Sequence, residues 1–278
     1  MNNEDIINLR AGGYSFSEIS KISKRSKKYV WKIANGAELT EEGLKRYRNI
    51  IRGVVSQIKP QTDIISVAKA RIISHIIFDG LICKSGYNSF VRYINSSKEL
   101  IEQFIRDVEE VYCLNRPNIE VCVEHALPYY RATFSSKPMY EDLLRYIPLD
   151  KYEKYSIPIP REILNGESSL KLAFLTSFFT DEGTISNDGR IMGDLKNELM
   201  INQIVSLLNE FGLPFKVIKY EEKNGPIHKI YISKKIQYYQ IFYDLDLFKG
   251  AIITHGHNLG RRKDAILQMH LEKLKNPQ

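Results

Sequence analysis

Apolar residues recur at helical spacing in three short stretches at the start of the chain. Within residues 4–36 the apolar positions are Ile6, Ile7, Ile19, Ile22, Val30, Trp31 and Ile33. Residues three or four apart share one face of a helix, so this pattern predicts three helices around a common core that includes Trp31. Gly12-Gly13 can end the first helix, and Ser15 and Ser26 can cap the second and third.

The remainder of the chain matches itself at an interval of about 100 residues. The matched stretches, in order, are 77–80 with 179–183, 99–100 with 198–199, and 131–137 with 229–235. The first match sets Asp79 opposite Glu182. Each unit of the repeat predicts a helix, two strands, a helix, two strands and a final helix. After the second unit, residues 258–275 predict a C-terminal helix.

These patterns predict an α+β protein with an N-terminal helical domain followed by two αββαββα repeats. The predicted boundaries are 1–36 for the N-terminal helical domain, 37–65 for a helical linker, 66–157 for the first repeat, and 158–278 for the second repeat with its C-terminal helix. We expect a monomer, because both repeats lie in one chain.

Composition narrows the class of protein. Hydrophobic residues make up 43% and charged residues 26%, which excludes general disorder. No apolar run approaches the roughly 18 residues of a membrane span, and no secretory signal begins the chain. Cys83, Cys113 and Cys122 form no CxxC pair, which argues against a disulfide framework and a cysteine zinc site. We therefore expect an intracellular, cytoplasmic protein, nucleoid-associated if prokaryotic.

Positive charge is concentrated at the N-terminus. The chain has a net charge of +7, and residues 1–60 hold 12 Lys and Arg against 6 Asp and Glu. Such a focus favours binding to a polyanion such as double-stranded DNA. A solvated basic face on a small helical bundle is the alternative.

Residues 13–20 and 26–33 resemble the helix-turn-helix of resolvase-like DNA-binding domains and many regulators. The resemblance implies a recognition helix whose first residues enter the major groove. Those residues are Ser26, Lys27, Lys28 and Tyr29. Lys24, Arg25 and Lys32 are then expected to contact phosphates, which position a protein without reading sequence.

The repeated segment resembles the LAGLIDADG homing endonuclease family in its single-chain, two-repeat form. The nine-residue motif falls on residues 72–80 (IISHIIFDG) and 175–183 (LTSFFTDEG). The first copy departs from the pattern at His75, usually apolar, and at Phe78, usually Gly or Ala. The resemblance implies two motif helices packed at a pseudo-twofold axis, and two four-stranded antiparallel sheets that form a saddle on the DNA major groove.

Asp79 and Glu182 are the predicted catalytic and metal-binding residues. Each lies in the last turn of an apolar helix, where a carboxylate costs about 0.3–1 kcal/mol against the helix dipole. A hard cation such as Mg²⁺ offsets that cost, and it can activate water for phosphodiester hydrolysis. Simple helix-ending turns are the alternative. Asp181 is expected to bind a water or cap the helix in support of Glu182.

Further basic and polar residues complete the predicted site. The resemblance implies that Lys151 and Lys249 lie beside the acids and stabilise negative charge on the phosphate. Arg261, Arg262 and Lys263 are possible phosphate contacts, and His255 and His257 are expected in a loop. The strand residues predicted to contact DNA are Lys84, Asn88, Arg92, Arg131, Arg190, Lys219 and Lys229. Because side chains alternate along a strand, about half of these are expected to miss the DNA.

The resulting hypothesis is a site-specific, Mg²⁺-dependent endonuclease for double-stranded DNA. The alternative is a catalytically inactive regulator built on the same scaffold, similar to WhiA-like regulators, which usually lack the acids and carry the helix-turn-helix after the core. An RNA-binding intron maturase is a third hypothesis, although no aromatic and basic RNA motif favours it. No intein splice signature is present, so a free-standing product is expected.

Overall fold

A computed structural model describes residues 1–44, 64–85, 88–114, 117–123, 127–147, 156–223 and 225–276. The chain divides into two compact units, residues 1–58 and residues 59–278. The predicted active-site residue Lys151 lies outside the described residues. None of the helices in the described ranges is long and apolar enough to cross a membrane.

The first unit contains three short helices, α1 (Asn3–Ala11), α2 (Phe16–Ser23) and α3 (Lys27–Ala34). Ser15 and Ser26 cap α2 and α3, as predicted, because their hydroxyl groups accept bonds from the backbone N–H three residues later. Residues 41–44 are also helical. The core is formed by Ile6, Ile19, Val30 and Ala34.

The prediction that Trp31 belongs to this core is wrong. Its side chain is 52% exposed, whereas its neighbour Val30 is fully buried. Val30 and Ala34 are four residues apart and define the inward stripe of α3, so Trp31 is turned about 100° away from that stripe. Periodicity alone did not distinguish the two adjacent apolar residues.

The second unit contains the two predicted repeats. The first comprises α4 (Val67–Asp79), β1 (Gly80–Ser85), β2 (Asn88–Asn95), α5 (Lys98–Tyr112), β3 (Asn118–Cys122), β4 (Tyr129–Ser135) and α6 (Lys137–Leu143). The short helix α7 (Arg161–Leu164) precedes the second repeat. That repeat comprises α8 (Ser168–Asp181), β5 (Gly183–Ile185), β6 (Ile191–Leu195), α9 (Glu198–Glu210), β7 (Phe215–Tyr220), β8 (Ile227–Ile232) and α10 (Ile236–Asp244). Helix α11 (Lys263–Lys275) follows.

The strands form two antiparallel four-stranded sheets of the same topology, in the orders β1-β2-β4-β3 and β5-β6-β8-β7. In each sheet one set of alternating side chains is buried beneath the helices. Val91 and Ala132 represent this set in the first sheet, and Ile191 and Ile230 in the second. The order of elements and the sheet topology confirm the α+β fold with two αββαββα repeats.

Helices α4 and α8 pack against each other along much of their length. Both are apolar, and residues such as Ile73 and Phe174 are fully buried. The two helices therefore form the centre of the second unit, and their C-terminal ends carry the predicted acids.

Candidate functional site

The acids occupy equivalent positions at the ends of the paired helices. Asp79 is the last residue of α4, and Glu182 is the C-cap of α8. Each is followed by the glycine that begins the next strand. A Cβ atom added to Gly80 or Gly183 would lie 2.4 Å from the backbone of its own helix, so glycine permits a helix to run directly into a strand. Both carboxylates therefore lie at the same kind of junction between a helix and a strand.

Asn95, at the end of β2, links Asp79 to Asp181. Its Nδ2 atom lies 3.3 Å from Asp79 Oδ2 and 3.3 Å from Asp181 Oδ1. One amide group therefore bridges carboxylates from two different repeats. Sequence reasoning missed Asn95, because an asparagine at a strand end is an ordinary turn residue.

The Asp181 side chain is fully buried and contacts residues of the first repeat, which differs from the helix cap that was predicted. Its Oδ2 atom lies 2.7 Å from His75 Nδ1, and its Oδ1 atom accepts a 2.7 Å hydrogen bond from the Tyr93 hydroxyl. Burial, together with the charges of Asp181 and Asp79, raises the pKa of Tyr93 well above its usual value. The hydroxyl of Tyr93 therefore stays protonated as a donor to Asp181.

In the first repeat, Phe78 occupies the position equivalent to Asp181, and its side chain is apolar instead of charged. The Phe78 ring lies 5.3 Å from the ring of Phe174 and 5.6 Å from that of Phe178. Phe78 is buried. A large aromatic side chain therefore fills a position where the resemblance implied a small residue. Aromatic contacts of this kind stabilise packing beyond simple burial.

The residues around these two positions differ in the same way. Strand pairing makes Gly193 the counterpart of Tyr93, since Gly80 pairs with Tyr93 and Gly183 pairs with Gly193. A Cβ atom at Gly193 would lie 2.6 Å from the Phe178 ring, so the aromatic ring fills the space that the Tyr93 side chain takes in the first repeat. The surroundings of Asp181 are therefore hydrogen-bonded, and those of Phe78 are aromatic.

Lys263, the first residue of α11, is buried at the end of α8. Its Nζ atom donates to the carbonyl oxygens of Thr180 at 2.7 Å, Gly183 at 2.5 Å and, more weakly, Phe179 at 3.3 Å. The last carbonyl groups of a helix lack intrahelical partners, so an ammonium group here completes the helix end and opposes its dipole. The side chain is almost entirely enclosed.

Lys263 also interacts with the candidate acids. Burial lowers the pKa of Lys263 to about 8, and the charges of Asp181, Asp79 and Glu182 oppose that shift. The prediction that Lys263 contacts phosphate is wrong, because its ammonium is enclosed. No sequence signal distinguished it from its neighbours, and adjacent Arg262 binds Glu99 at 2.5 Å and Asp264 at 2.6 Å.

Lys249 occupies a different environment from the one predicted. Its side chain is 65% exposed, and its ammonium lies 2.8 Å from Asp246 Oδ2. Asp246 is the main cause of its raised pKa. Among the described residues, Lys263 is a lysine that interacts with the acids, and it was not predicted to lie there.

Sheet pairing separates the predicted DNA-binding residues into groups. Asn88, Arg92, Arg131 and Lys229 alternate with buried residues, and so lie on the sheet faces directed away from the helices. Lys84 and Lys219 have the opposite parity and do not share those faces. Arg190 precedes β6 and binds Asp188 at 2.8 Å.

Two of the outward-facing arginines already have protein partners. Arg92 Nε donates to Thr133 Oγ1 at 3.0 Å, and Arg131 donates to Glu120 at 2.8 Å. Lys229 lies 5.7 Å from the centre of the Tyr220 ring, and Tyr220 and Tyr231 share a hydrogen bond of 3.0 Å. The second sheet therefore presents a lysine beside a tyrosine pair.

The predicted recognition residues lie around the start of α3. Lys27, Lys28 and Lys32 are exposed, and Lys24 adopts a left-handed backbone conformation with φ 54° at the turn. The predicted role of Tyr29 is limited by internal contacts, because its hydroxyl donates to Asn3 at 2.9 Å and the Arg25 guanidinium lies over its ring. The hydroxyl of Ser26 is occupied by capping α3. The lysines remain as the exposed cations of this helix.

The donor atoms at the helix ends suit a hard cation. Hard cations prefer carboxylate oxygens, and Asp79 and Glu182 carry such oxygens at the two helix ends. The carboxylate of Asp181 is bound by His75, Tyr93 and Asn95. Among the described residues, no three His, Cys, Asp or Glu side chains are grouped as a metal-binding cluster. A cation bound to this protein would therefore take further ligands from water and phosphate, as Mg²⁺ commonly does. His255 lies in an exposed loop and contacts Thr254, as predicted for a loop residue.

The two repeats and their antiparallel four-stranded sheets have the order of helices and strands that the resemblance implied. No known protein-family model matches the chain. It is 30% identical over 97 residues to a DNA polymerase of Thermococcus kodakarensis, and 32% identical over 95 residues to a DNA polymerase of Thermococcus litoralis. The matched regions cover 35% and 34% of this chain, but only 5% of each polymerase.

Solved structures that match the chain include two homing endonucleases and one LAGLIDADG domain. Variants of the homing endonuclease I-DmoI match with 16% identity and a TM-score of 0.48, covering 64% of this chain and 94% of theirs. The homing endonuclease I-WcaI, bound to its DNA recognition sequence, matches with 20% identity and a TM-score of 0.47, covering 70% and 86%. The N-terminal LAGLIDADG domain of WhiA matches with 15% identity and a TM-score of 0.41, covering 68% and 87%.

Proposed function

We propose that the protein is a double-stranded DNA endonuclease of the LAGLIDADG type, with Asp79 and Glu182 as its catalytic carboxylates. The observation that carries this proposal is that both acids end the paired central helices at equivalent helix-to-strand junctions. Two carboxylates at equivalent helix ends are costly in a protein without a function for them. A bound divalent cation offsets that cost.

The residues of the chain have distinct proposed roles. Asp79 and Glu182 hold a divalent cation, with Mg²⁺ as the proposed ion, and Asn95 orients Asp79 through its amide. When bound, such a cation lowers the pKa of a water and stabilises charge on phosphate oxygens. Lys263 fixes the end of α8 and therefore the backbone that carries Glu182. The role predicted for Lys151 stays a prediction.

We propose that DNA contacts come from both units of the chain. The outward sheet faces supply Asn88, Arg92, Arg131 and Lys229 to one duplex site. Residues 1–36 act as a helix-turn-helix, with Lys27, Lys28 and Lys32 supplying positive charge. Residues 37–65 are the proposed linker, and the chain acts as a monomer through its pseudo-twofold pair of repeats, 66–157 and 158–278.

The test is cleavage of DNA by the full chain. Purified protein is incubated with Mg²⁺ and a plasmid library of randomised inserts, and new DNA ends are sequenced. We expect cleavage at a restricted set of sites, and its loss in Asp79→Asn and in Glu182→Gln. The matched control is Glu210→Gln, a carboxylate that pairs with Lys171 at the surface and should leave cleavage unchanged. Cleavage that survives in both acid variants would refute the proposed site.

A DNA-binding regulator is the second candidate, and Lys263 is the observation that favours it. The ammonium of this residue supplies positive charge beside the acids from within the protein, so the folded site does not depend on a metal ion for all of its charge balance. In the same assay a regulator would retain specific sequences without cutting them. Binding by the wild-type chain without any new DNA ends would therefore select this function.

A further inference from the structure

The first unit exposes an indole ring on its most basic helix. Trp31 is 52% exposed on α3, although tryptophan is among the more buried residues on average. An indole carries a large apolar surface, so its exposure costs free energy in the unbound protein. The core of this unit is completed by Ile6, Ile19, Val30 and Ala34 without it. Its position therefore indicates a role outside the core.

The surroundings of Trp31 are positive. Helical spacing places Lys27 and Lys28 one turn before it, and Lys32 is its neighbour. Residues 24–35 contain five Lys or Arg and no Asp or Glu. Such a segment attracts a polyanion and disfavours a basic partner. A duplex offers both the phosphates that the lysines need and apolar surface, in thymine methyl groups and sugars, that an indole can cover.

Tyr29 does not serve the same purpose. Its hydroxyl donates to Asn3 on α1, and its ring lies beneath the Arg25 guanidinium, so internal contacts hold it. Trp31 is instead 52% exposed. Of the two aromatic residues on α3, Trp31 has the greater exposed fraction.

We infer that Trp31 is a DNA-contact residue, whose ring packs against apolar groups of a duplex while Lys28 and Lys32 bind its phosphates. The inference rests on the proposed function of the first unit as a DNA-binding domain. Trp31, and not Tyr29, is then the aromatic residue of this helix that determines affinity for DNA. The ring adds contact area without charge, so its contribution should be insensitive to salt.

The chain contains a single tryptophan, so its fluorescence reports this helix directly. Titration of the full wild-type chain with a short mixed-sequence duplex should quench or shift the emission, with the same midpoint as the anisotropy of a labelled duplex. Addition of salt should reverse the change. Binding without any change in tryptophan emission would overturn the inference.

Variants of the full chain then separate the ring from the charges. Trp31→Ala should weaken duplex binding by about tenfold, with an unchanged salt slope, whereas Trp31→Phe retains most of the affinity. Lys28→Gln should reduce the slope of log affinity against log salt concentration by about one, as expected for the loss of one phosphate contact. The matched apolar control is Ile7→Ala on α1, also exposed, which should bind as wild type. Urea unfolding followed by circular dichroism checks that each variant is folded.

The outcomes distinguish the inference from the proposed function. If Trp31→Ala binds normally while Lys28→Gln is weakened, the inference about Trp31 is wrong and DNA binding by α3 stands. If the wild-type chain binds no duplex, the proposed function of this unit fails as well. If Trp31→Ala instead dissociates a dimer seen by sedimentation, with DNA affinity unchanged, the ring contacts a second copy and the inference is overturned.

Discussion

Replacement of Lys263 by methionine tests the central structural feature of the second unit. Methionine retains the length and apolar surface of the lysine stem but removes the ammonium. Three carbonyl oxygens at the end of α8 then lose their donor, two of them at 2.5 and 2.7 Å and the third at 3.3 Å. The same change removes the positive charge beside Asp79, Asp181 and Glu182.

The expected magnitude follows from two opposing contributions. A buried hydrogen bond to a charged group contributes about 1.5–3 kcal/mol, so the two short bonds and the weak one together contribute about 5 kcal/mol. Burial lowers the pKa of Lys263 from 10.5 to about 8, and this cost of about 3 kcal/mol at pH 7 disappears with the charge. We therefore expect Lys263→Met to lower the free energy of unfolding by about 2 kcal/mol at pH 7.

The pH dependence has a defined sign. Above pH 8 the folded state begins to release the Lys263 proton while the unfolded chain still holds it, up to about pH 10.5. Because the unfolded state then binds more protons, this residue makes the wild-type protein more stable as pH rises through that window. The gap between wild type and Lys263→Met should therefore widen by about 2 kcal/mol between pH 7 and pH 9.5.

Urea unfolding followed by circular dichroism at both pH values measures this gap. Trp31 lies in the first unit, so tryptophan fluorescence follows that unit separately and should be unaffected. Lys273→Met, an exposed lysine on the same helix, is the matched control and should change stability by only about 0.5 kcal/mol at either pH. A gap that stays constant with pH, or a variant as stable as wild type, would refute the buried position of this ammonium.

Two further substitutions test other features of the two units. Lys24→Gly should stabilise the first unit by about 1 kcal/mol, because glycine adopts the left-handed conformation at this turn without steric cost. Urea unfolding followed by Trp31 fluorescence measures this change in the free energy of unfolding. Destabilisation would contradict the assigned turn. Asp181→Asn should destabilise the second unit by about 2–3 kcal/mol, since an amide oxygen is a poorer hydrogen-bond acceptor than a carboxylate for His75 and Tyr93. The urea midpoint of unfolding, followed by circular dichroism, measures this loss. An unchanged midpoint would contradict the buried contacts of Asp181 with His75 and Tyr93.

The fold of the second unit was largely predictable because its signals are local. Helical and strand periodicities act over a few residues, and their recurrence at an interval near 100 residues required a second copy of the same elements. Glycine after each acid marked the junction where a helix becomes a strand. The equivalence of Asp79 and Glu182 followed from that local pattern, and their positions at the two helix ends agree with it.

The surroundings of those acids were not predictable in the same way. Lys263 lies about 80 residues from the helix end that it completes, and nothing in its local sequence separates it from Arg262. Asp181 and Phe78 occupy equivalent positions, yet one is held by hydrogen bonds and the other by aromatic rings from the opposite repeat. Trp31 shows the same limit on a smaller scale, because Val30 and Trp31 fit the helical pattern about equally well.

The amino-acid sequence by itself determined the order of the elements, the duplication of the unit and the position of the basic helix, since each depends on side chains only a few residues apart. The tertiary structure decided which ammonium meets the acids, which carboxylate is buried between the repeats and which aromatic ring faces solvent. Those outcomes depend on partners that are distant in sequence, and burial changes the energy of a charge or a ring only after the chain has brought the partners together.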